Sequence, residues 1–286
     1  MTRRGILNKL PCQPIHPLLR NWPFTSRGPI NERCVERAAF SFLAVIVFVS
    51  AGFTSLCCPN DDTDRVRHSV PWSQRERLQY RVSWANFVAA GELTLDCQEM
   101  SEPGKARLYR FGVRARSVDW VRTLILNVND TYEASVDAET LLPIQAEERL
   151  EHGKTLEKTS VRFDYQNKVV RLSNGHSQPL APNTYDAATL MFVLRTLELS
   201  SGKTQIVRLL DNETVHTLRA EAERIESVRV GQKDYQVTRV AIKQVENGIA
   251  QDTLKIRLYL TSDSRRLPVL MTAEPAWGTI KVELRE

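Results

Sequence analysis

From Pro71 onward the chain alternates between apolar and polar positions. Leu78, Tyr80, Val82 and Trp84 are separated by Gln79, Arg81 and Ser83, and Leu93, Leu95 and Cys97 by Thr94 and Asp96. Tyr109, Phe111, Val113 and Ala115 alternate with Arg110, Gly112, Arg114 and Arg116. The period recurs at Leu124/Leu126/Val128, Val161/Phe163/Tyr165, Leu254/Ile256/Leu258/Leu260 and Ile280/Val282/Leu284. Successive side chains on a strand point to opposite faces, so each run has a dry face and a wet one. One-sided sheets of this kind are usually antiparallel. Turn residues punctuate the runs, among them Pro103-Gly104, His152-Gly153-Lys154, Asn174-Gly175 and Asn247-Gly248.

One segment changes period. After Pro182-Asn183-Thr184-Tyr185-Asp186, the residues Ala187, Leu190, Met191, Leu194 and Leu197 fall on one helical face. Asn183 and Asp186 can satisfy the free amides of the first turn, and Ser200-Ser201-Gly202 closes the segment. The pattern predicts a mainly β domain over 75–286, with about twelve strands and one helix after the seventh. A helix with one apolar face needs a sheet to lie on. It is therefore expected on the concave side of a curled antiparallel sheet or open β-barrel.

Upstream, Ala38 to Leu56 runs nineteen residues without a charge. As a helix it would reach roughly 28 Å, close to the hydrocarbon thickness of a bilayer. Basic residues precede it, and Asp61, Asp62 and Asp64 follow it, which directs the head inward and the body across the membrane. The expected organisation is a basic head (1–37), a signal peptide or signal-anchor helix (38–56), a polar tether (57–74) and one domain in the periplasm or cell envelope. Val49-Ser50-Ala51 offers small residues for cleavage, and Val35 is an alternative start that would leave an ordinary short leader.

Charge sharpens this picture. The formal net charge is +5, and residues 1–37 account for all of it, with seven Lys or Arg against two Glu. The remaining 249 residues carry 32 basic and 32 acidic groups. A neutral body argues against a phosphate-tracking surface, so no nucleic-acid partner is expected.

Signals for chemistry are sparse. The sequence holds no GxSxG, GxxxxGK, HExxH or CxxC motif. Cys12, Cys34, Cys57, Cys58 and Cys97 match neither a zinc pattern nor a disulfide framework, and the residues before Cys57 and Cys58 suit lipid attachment poorly. The histidines (His16, His68, His152, His176 and His216) are scattered and read as solvated surface. Glu147 and Glu148 are sequential and so face opposite sides of a strand, which disfavours an acid/base pair. Arg110, Arg114 and Arg116 form a stripe that is either neutralised by an acidic neighbour or open to an anion. No cofactor, metal or catalytic residue is expected. Tyr80, Trp84, Tyr109, Phe111 and Phe163 lie on the apolar faces. They belong either to a packed core or, if the sheet opens, to the lining of a ligand cavity.

Leu78-Gln79-Tyr80-Arg81-Val82-Ser83-Trp84 followed by Ala90-Gly91-Glu92 resembles the opening of the exported bacterial family of unknown function DUF3108. Leu142-Pro143-Ile144, Tyr185-Asp186 with Leu194-Arg195, and Arg265-Arg266-Leu267-Pro268-Val269 with Gly278-Thr279-Ile280 fit it in order and spacing. The resemblance runs from about residue 75 to 285. It implies a periplasmic β-protein with no family catalytic residues to map, similar in outline to the lipoprotein-carrier folds. Two non-enzymatic expectations follow. One is a module that binds a lipid or other amphiphile in its curled sheet. The other is a structural or assembly partner of another envelope protein, with a fully packed core. An enzyme acting on cell-wall material would need convergent carboxylates in a cleft, which these spacings do not assemble.

Overall fold

The structure, a computed structural model, describes residues 70–285 apart from 86, 87, 102, 105, 125, 126, 201, 212 and 277. The basic head, the apolar run at 38–56 and most of the tether lie outside the described residues. Among the described residues, no helix is long and apolar enough to cross a membrane.

The strands are β1 (Arg75–Trp84), β2 (Val88–Met100), β3 (Leu108–Ser117), β4 (Asn129–Asp137), β5 (Pro143–His152), β6 (Thr155–Asp164), β7 (Val169–Leu172), β8 (Ser177–Pro179) and β9 (Thr184–Tyr185), followed by β10 (Thr204–Asp211), β11 (Thr214–Val230), β12 (Lys233–Glu246), β13 (Ile249–Thr261), β14 (Pro268–Ala273) and β15 (Ile280–Leu284). Two helices interrupt them: α1 (Asp119–Leu124) and α2 (Ala187–Val193). The sheet has more strands than the alternation predicts. β8 and β9, three and two residues long, carry too few positions to show a period.

All fifteen strands form one sheet in the order β8-β7-β6-β5-β4-β3-β2-β1-β15-β14-β13-β12-β11-β10-β9. Neighbours pair antiparallel, except that β9 and β10 run parallel. The first and last strands meet in the middle, with Tyr80 opposite Leu284 and Trp84 opposite Ile280. The two outer strands, β8 and β9, are consecutive in sequence and joined by residues 180–183 alone. Laid flat, fifteen strands would span roughly 67 Å at their usual spacing. The link from Pro179 to Thr184 reaches at most about 18 Å. The sheet must therefore curl until its edges approach. Contacts across the gap bear this out: Asn174 Nδ2 donates to Glu213 Oε1 at 2.5 Å, and His176 Nδ1 lies 3.2 Å from the same oxygen.

Inside the curl lies α2. Asp186 caps it, accepting from the Thr189 amide at 3.0 Å. The sequence predicts one apolar face, yet all seven residues of α2 are buried. The sheet surrounds this helix, contacting it from β3, β4 and β10, so no face is left for solvent. The helix also stops earlier than expected, with Leu194 as its C-cap.

A second correction concerns the Leu124/Leu126/Val128 run, predicted as a strand. Residues 119–124 form α1 instead, and Val128 contributes one isolated bridge, to His152. Three alternating positions are too few to separate a strand from a helical turn. Asp119 in the first turn and Arg122 in the last suit the helix dipole.

Candidate functional site

The two ends of α2 meet different interiors. At its C-terminal end the aromatic row is packed. Phe192 stacks on Phe111 with ring centroids 4.2 Å apart, and Tyr109 stacks on Phe111 at 5.7 Å. Trp72 stands edge-on to all three rings at 5.4–5.7 Å. Beside them Arg195 is fully buried. Its Nη1 donates to Glu76 Oε2 at 2.5 Å, and its Nε and Nη2 donate to the Arg266 and Arg265 carbonyls at 3.2 and 2.9 Å. Nη2 also reaches the Pro71 carbonyl at 3.4 Å, and the guanidinium lies 5.6 Å from the Trp72 ring centroid. A planar fork with five donors is suited to closing such a junction.

Of the aromatic residues predicted to line a cavity, Tyr109 and Phe111 thus belong to one cluster under α2. Tyr80 is buried close to Arg195 and Glu76, where burial raises its hydroxyl pKa, and that hydroxyl has no hydrogen-bond partner among the described residues. Phe163 stacks on Tyr165 at 6.3 Å, away from the Trp72 rings. Trp84 is set apart by a bulge. The register of β1 on β2 shifts between Val82 and Ser83, Ser83 takes the buried position, and Trp84 is half-buried. Its indole lies over Gly278, φ +130°, where a Cβ would come within 2.6 Å of the ring nitrogen. Only glycine fits that approach.

At the N-terminal end of α2 the interior is acidic. Glu148 on β5 is buried, with 8% of its surface exposed. Burial, followed by the neighbouring charges of Asp211, Asp186 and Asp130, pushes its carboxyl up to about 8. Asp186 is buried and shifted upward for the same reason, although Thr189 donates to it through both amide and hydroxyl. Asp211, at the end of β10, is also raised by burial. Asp130 is fully buried and held in place: His152 Nε2 lies 3.0 and 3.1 Å from its two oxygens, and the Glu151 amide donates to it at 3.2 Å. That contact raises the His152 pKa. His216, opposite Leu209 on β10, is buried, and desolvation lowers its pKa.

Along the same face of β11, Leu218 begins a small cleft between β11, β12 and β13. It encloses about 40 Å³, with Ile242, Leu254 and Ile256 as its apolar wall and Gln244 and Gln251 as its polar rim. A bulge opens it. Between Ile242/Ile256 and Gln244/Gln251, β12 spends one intervening residue where β13 spends four. Lys255 takes φ +43° there, and Arg257 clamps the bulge through Asp252 at 2.6 and 2.9 Å. Bulges of this kind bend a strand and re-aim its side chains.

The basic stripe of β3 is resolved on the outer surface. Glu133 pairs with Arg110 at 2.5 Å and with Arg114 at 3.9 Å, while Arg116 donates to Asn129. The basic stripe is therefore matched by its neighbour β4. Cys97 is buried, and its thiol is pushed up to about 12. Among the described residues no cluster of His, Cys, Asp or Glu could hold a metal ion.

The family described as Protein of unknown function (DUF3108) matches residues 79–285. The chain belongs to that family. The DUF3108 match takes in Glu148, Asp186, Asp211 and the β11–β13 cleft, and it begins after Trp72 and Glu76. No curated protein matches the chain in sequence. In fold, this DUF3108 domain is similar to the crystal structure of a β-barrel-like protein of domain of unknown function DUF1849 from Brucella abortus. The likeness has a TM-score of 0.50 and 13% identity, over 74% of this chain and 96% of that one.

The sequence of this DUF3108 domain predicts surface positions for its histidines. His216 is the correction, because it is in phase with Leu218, Ala220 and Ala222, which are buried. Glu148 does stand opposite in facing to the exposed Glu147, and its phase with Ala146 is the signal that places it indoors.

Proposed function

We propose that this DUF3108 domain is a non-enzymatic envelope module that binds a hydrophobic or amphiphilic ligand on the concave side of its curled sheet. The observation that carries the reading is Glu148, a carboxyl buried in the interior wall close to three other acids. Natural interiors rarely retain such a group unless it has a use. The cleft at Leu218 and Ile256 supplies apolar surface two residues along the strand from His216. Its volume takes only a methyl-sized group, so uptake of a chain requires the β12–β13 wall to move. The envelope setting rests on the basic head and the apolar run of residues 38–56.

One observation favours a second reading, a structural partner with a filled core: Tyr109 and Phe111 are covered by Phe192 and Trp72. Native mass spectrometry of the full chain, recovered under mild conditions from a bacterial host, separates the two. An added mass that disappears on denaturation supports the binding module. An unliganded mass with no uptake of offered octanol supports the structural partner.

A further inference from the structure

Trp72 fills part of the interior without belonging to the sheet. It stands three residues ahead of β1 and is only 6% exposed, with Ser73 and Gln74 in solvent between it and the strand. Tyr109, Phe111 and Phe192 hold its ring edge-on, and its buried Nε1 makes no well-formed hydrogen bond among the described residues. The DUF3108 match takes in those three rings and Arg195 but begins only at residue 79. The slot is thus part of the matched domain, while the side chain that fills it comes from the segment leading in.

That segment is fastened unevenly. Gln74 is tied to the sheet, its carbonyl accepting from the Glu99 amide at 2.7 Å. Ahead of it, the Pro71 carbonyl accepts from Arg195 Nη2 at 3.4 Å, the longest of the hydrogen bonds that this guanidinium makes. Ser73, Gln74 and Arg75, with Glu99 and Ser101, border an open groove of about 650 Å³. Rotation at Ser73 carries Pro71 and Trp72 out together beside this open space and leaves the Arg195–Glu76 pair in place. What they vacate defines a replacement: apolar walls on three sides, a guanidinium 5.6 Å from the ring centroid, and one freed Nη2 donor. A flat ring recovers the edge contacts and the cation–π contact. Because Glu76 already balances the charge of Arg195, an uncharged carbonyl suits the freed donor better than a further carboxylate.

We infer that the slot under Tyr109, Phe111 and Phe192 is a binding site occupied by the chain's own Trp72, and that in exchange for Trp72 it takes an amphiphile with a flat aromatic ring and an uncharged carbonyl oxygen. The inference rests on the binding-module reading above and names the class of its ligand. Trp72 then acts as an internal competitor, and the apparent affinity of the ligand falls by the fraction of molecules in which the slot is open.

Fluorine NMR of the full chain labelled with 5-fluorotryptophan tests this, with the Trp72 signal assigned from Trp72→Phe. Indole-3-acetamide is expected to bind the unmutated chain and to move the Trp72 signal from a buried to a solvent-exposed position. Isothermal titration calorimetry is expected to find the same probe at least about tenfold tighter on Trp72→Ala, which removes the competitor. It should also bind at least about fivefold tighter than 3-methylindole, which lacks the carbonyl. Circular dichroism checks the fold of the variant; should Trp72→Ala not fold, Trp72→Phe, with its smaller ring, is expected to bind more tightly than the unmutated chain. A Trp72 signal that stays buried at saturation overturns the slot and leaves the amphiphile module standing. Binding to Trp72→Ala with none to the unmutated chain also overturns it, because Trp72 is then a permanent part of the core. Equal affinity for the two indoles overturns the carbonyl as part of the ligand. Uptake by neither chain overturns the slot, and the octanol measurement above decides the module separately.

Discussion

The side chains of Glu76 and Glu148 both point away from solvent, and the fold treats them differently. Glu76 meets a guanidinium whose remaining donors are spent on three backbone carbonyls, so that charge, aromatic rings and the start of the domain close into one junction. Glu148 meets three other acids. Where α2 ends, the protein has matched a buried charge completely; where α2 begins, it has left one unmatched. A carboxyl matched this way is part of the architecture. One left unmatched is a candidate for exchange with something outside the chain, and the two should respond in opposite ways when removed.

The largest expected effect is at the matched end. Arg195→Leu strands the Glu76 carboxylate among backbone carbonyls and should cost about 3–5 kcal/mol in urea unfolding. The double change Arg195→Leu with Glu76→Leu should recover much of it. A single-variant loss below about 1 kcal/mol would erase the contrast between the two ends.

At the unmatched end the sign reverses. The Glu148 carboxyl is raised from 4.5 to about 8, so between those values the folded state holds a proton that the unfolded chain has released. Stability is therefore full at the acid side of this window, falls as pH rises through it, and stays reduced above pH 8. Glu148→Gln should stabilise the domain at pH 9 by roughly 3 kcal/mol and change little at pH 4, as read from thermal melts across pH. Asp186 and Asp211 shift in the same direction, so a shallower decline should survive in the variant.

Smaller effects sharpen the boundary. Tyr80→Phe deletes a buried hydroxyl that has no partner, close to the Arg195 junction. It should be neutral or stabilising by up to about 1 kcal/mol, measured by the shift of the urea midpoint. Glu133→Gln loosens the outer Arg110 and Arg114 pairs, which solvent already screens. It should change stability by about 0.5 kcal/mol or less.

These regions were unequally legible in the sequence. Alternation in 108–117 places Tyr109 and Phe111 indoors, and the sequence offers Asn183 with Asp186 for the first turn of α2, of which Asp186 alone is the cap while Asn183 lies ahead of β9. The ring around Glu148 is another matter. Residues 130, 148, 186 and 211 come from β4, β5, the α2 cap and β10, and only the curl of the whole sheet brings them together. Local period fixes the face on which a residue stands; it carries no information about which distant strand stands across the interior. Trp72 was hidden for a different reason. It precedes the first strand, so no periodic neighbour marks it, yet it stands edge-on to three aromatic rings.

The pairing of β1 with β15 has a consequence for how the chain reaches this state. Strands β2 to β8 form one meander of sequence neighbours, and β10 to β15 form another, each zipped by short-range turns. The ladder in the middle joins Tyr80 to Leu284, some two hundred positions apart along the chain. Closing so long a loop is entropically expensive and slow compared with forming hairpins. The central ladder is thus expected to assemble last, with β1 waiting for the C-terminus to be delivered. Pulsed hydrogen exchange during refolding should find the amides of β1 and β15 protected after those of β3 to β6.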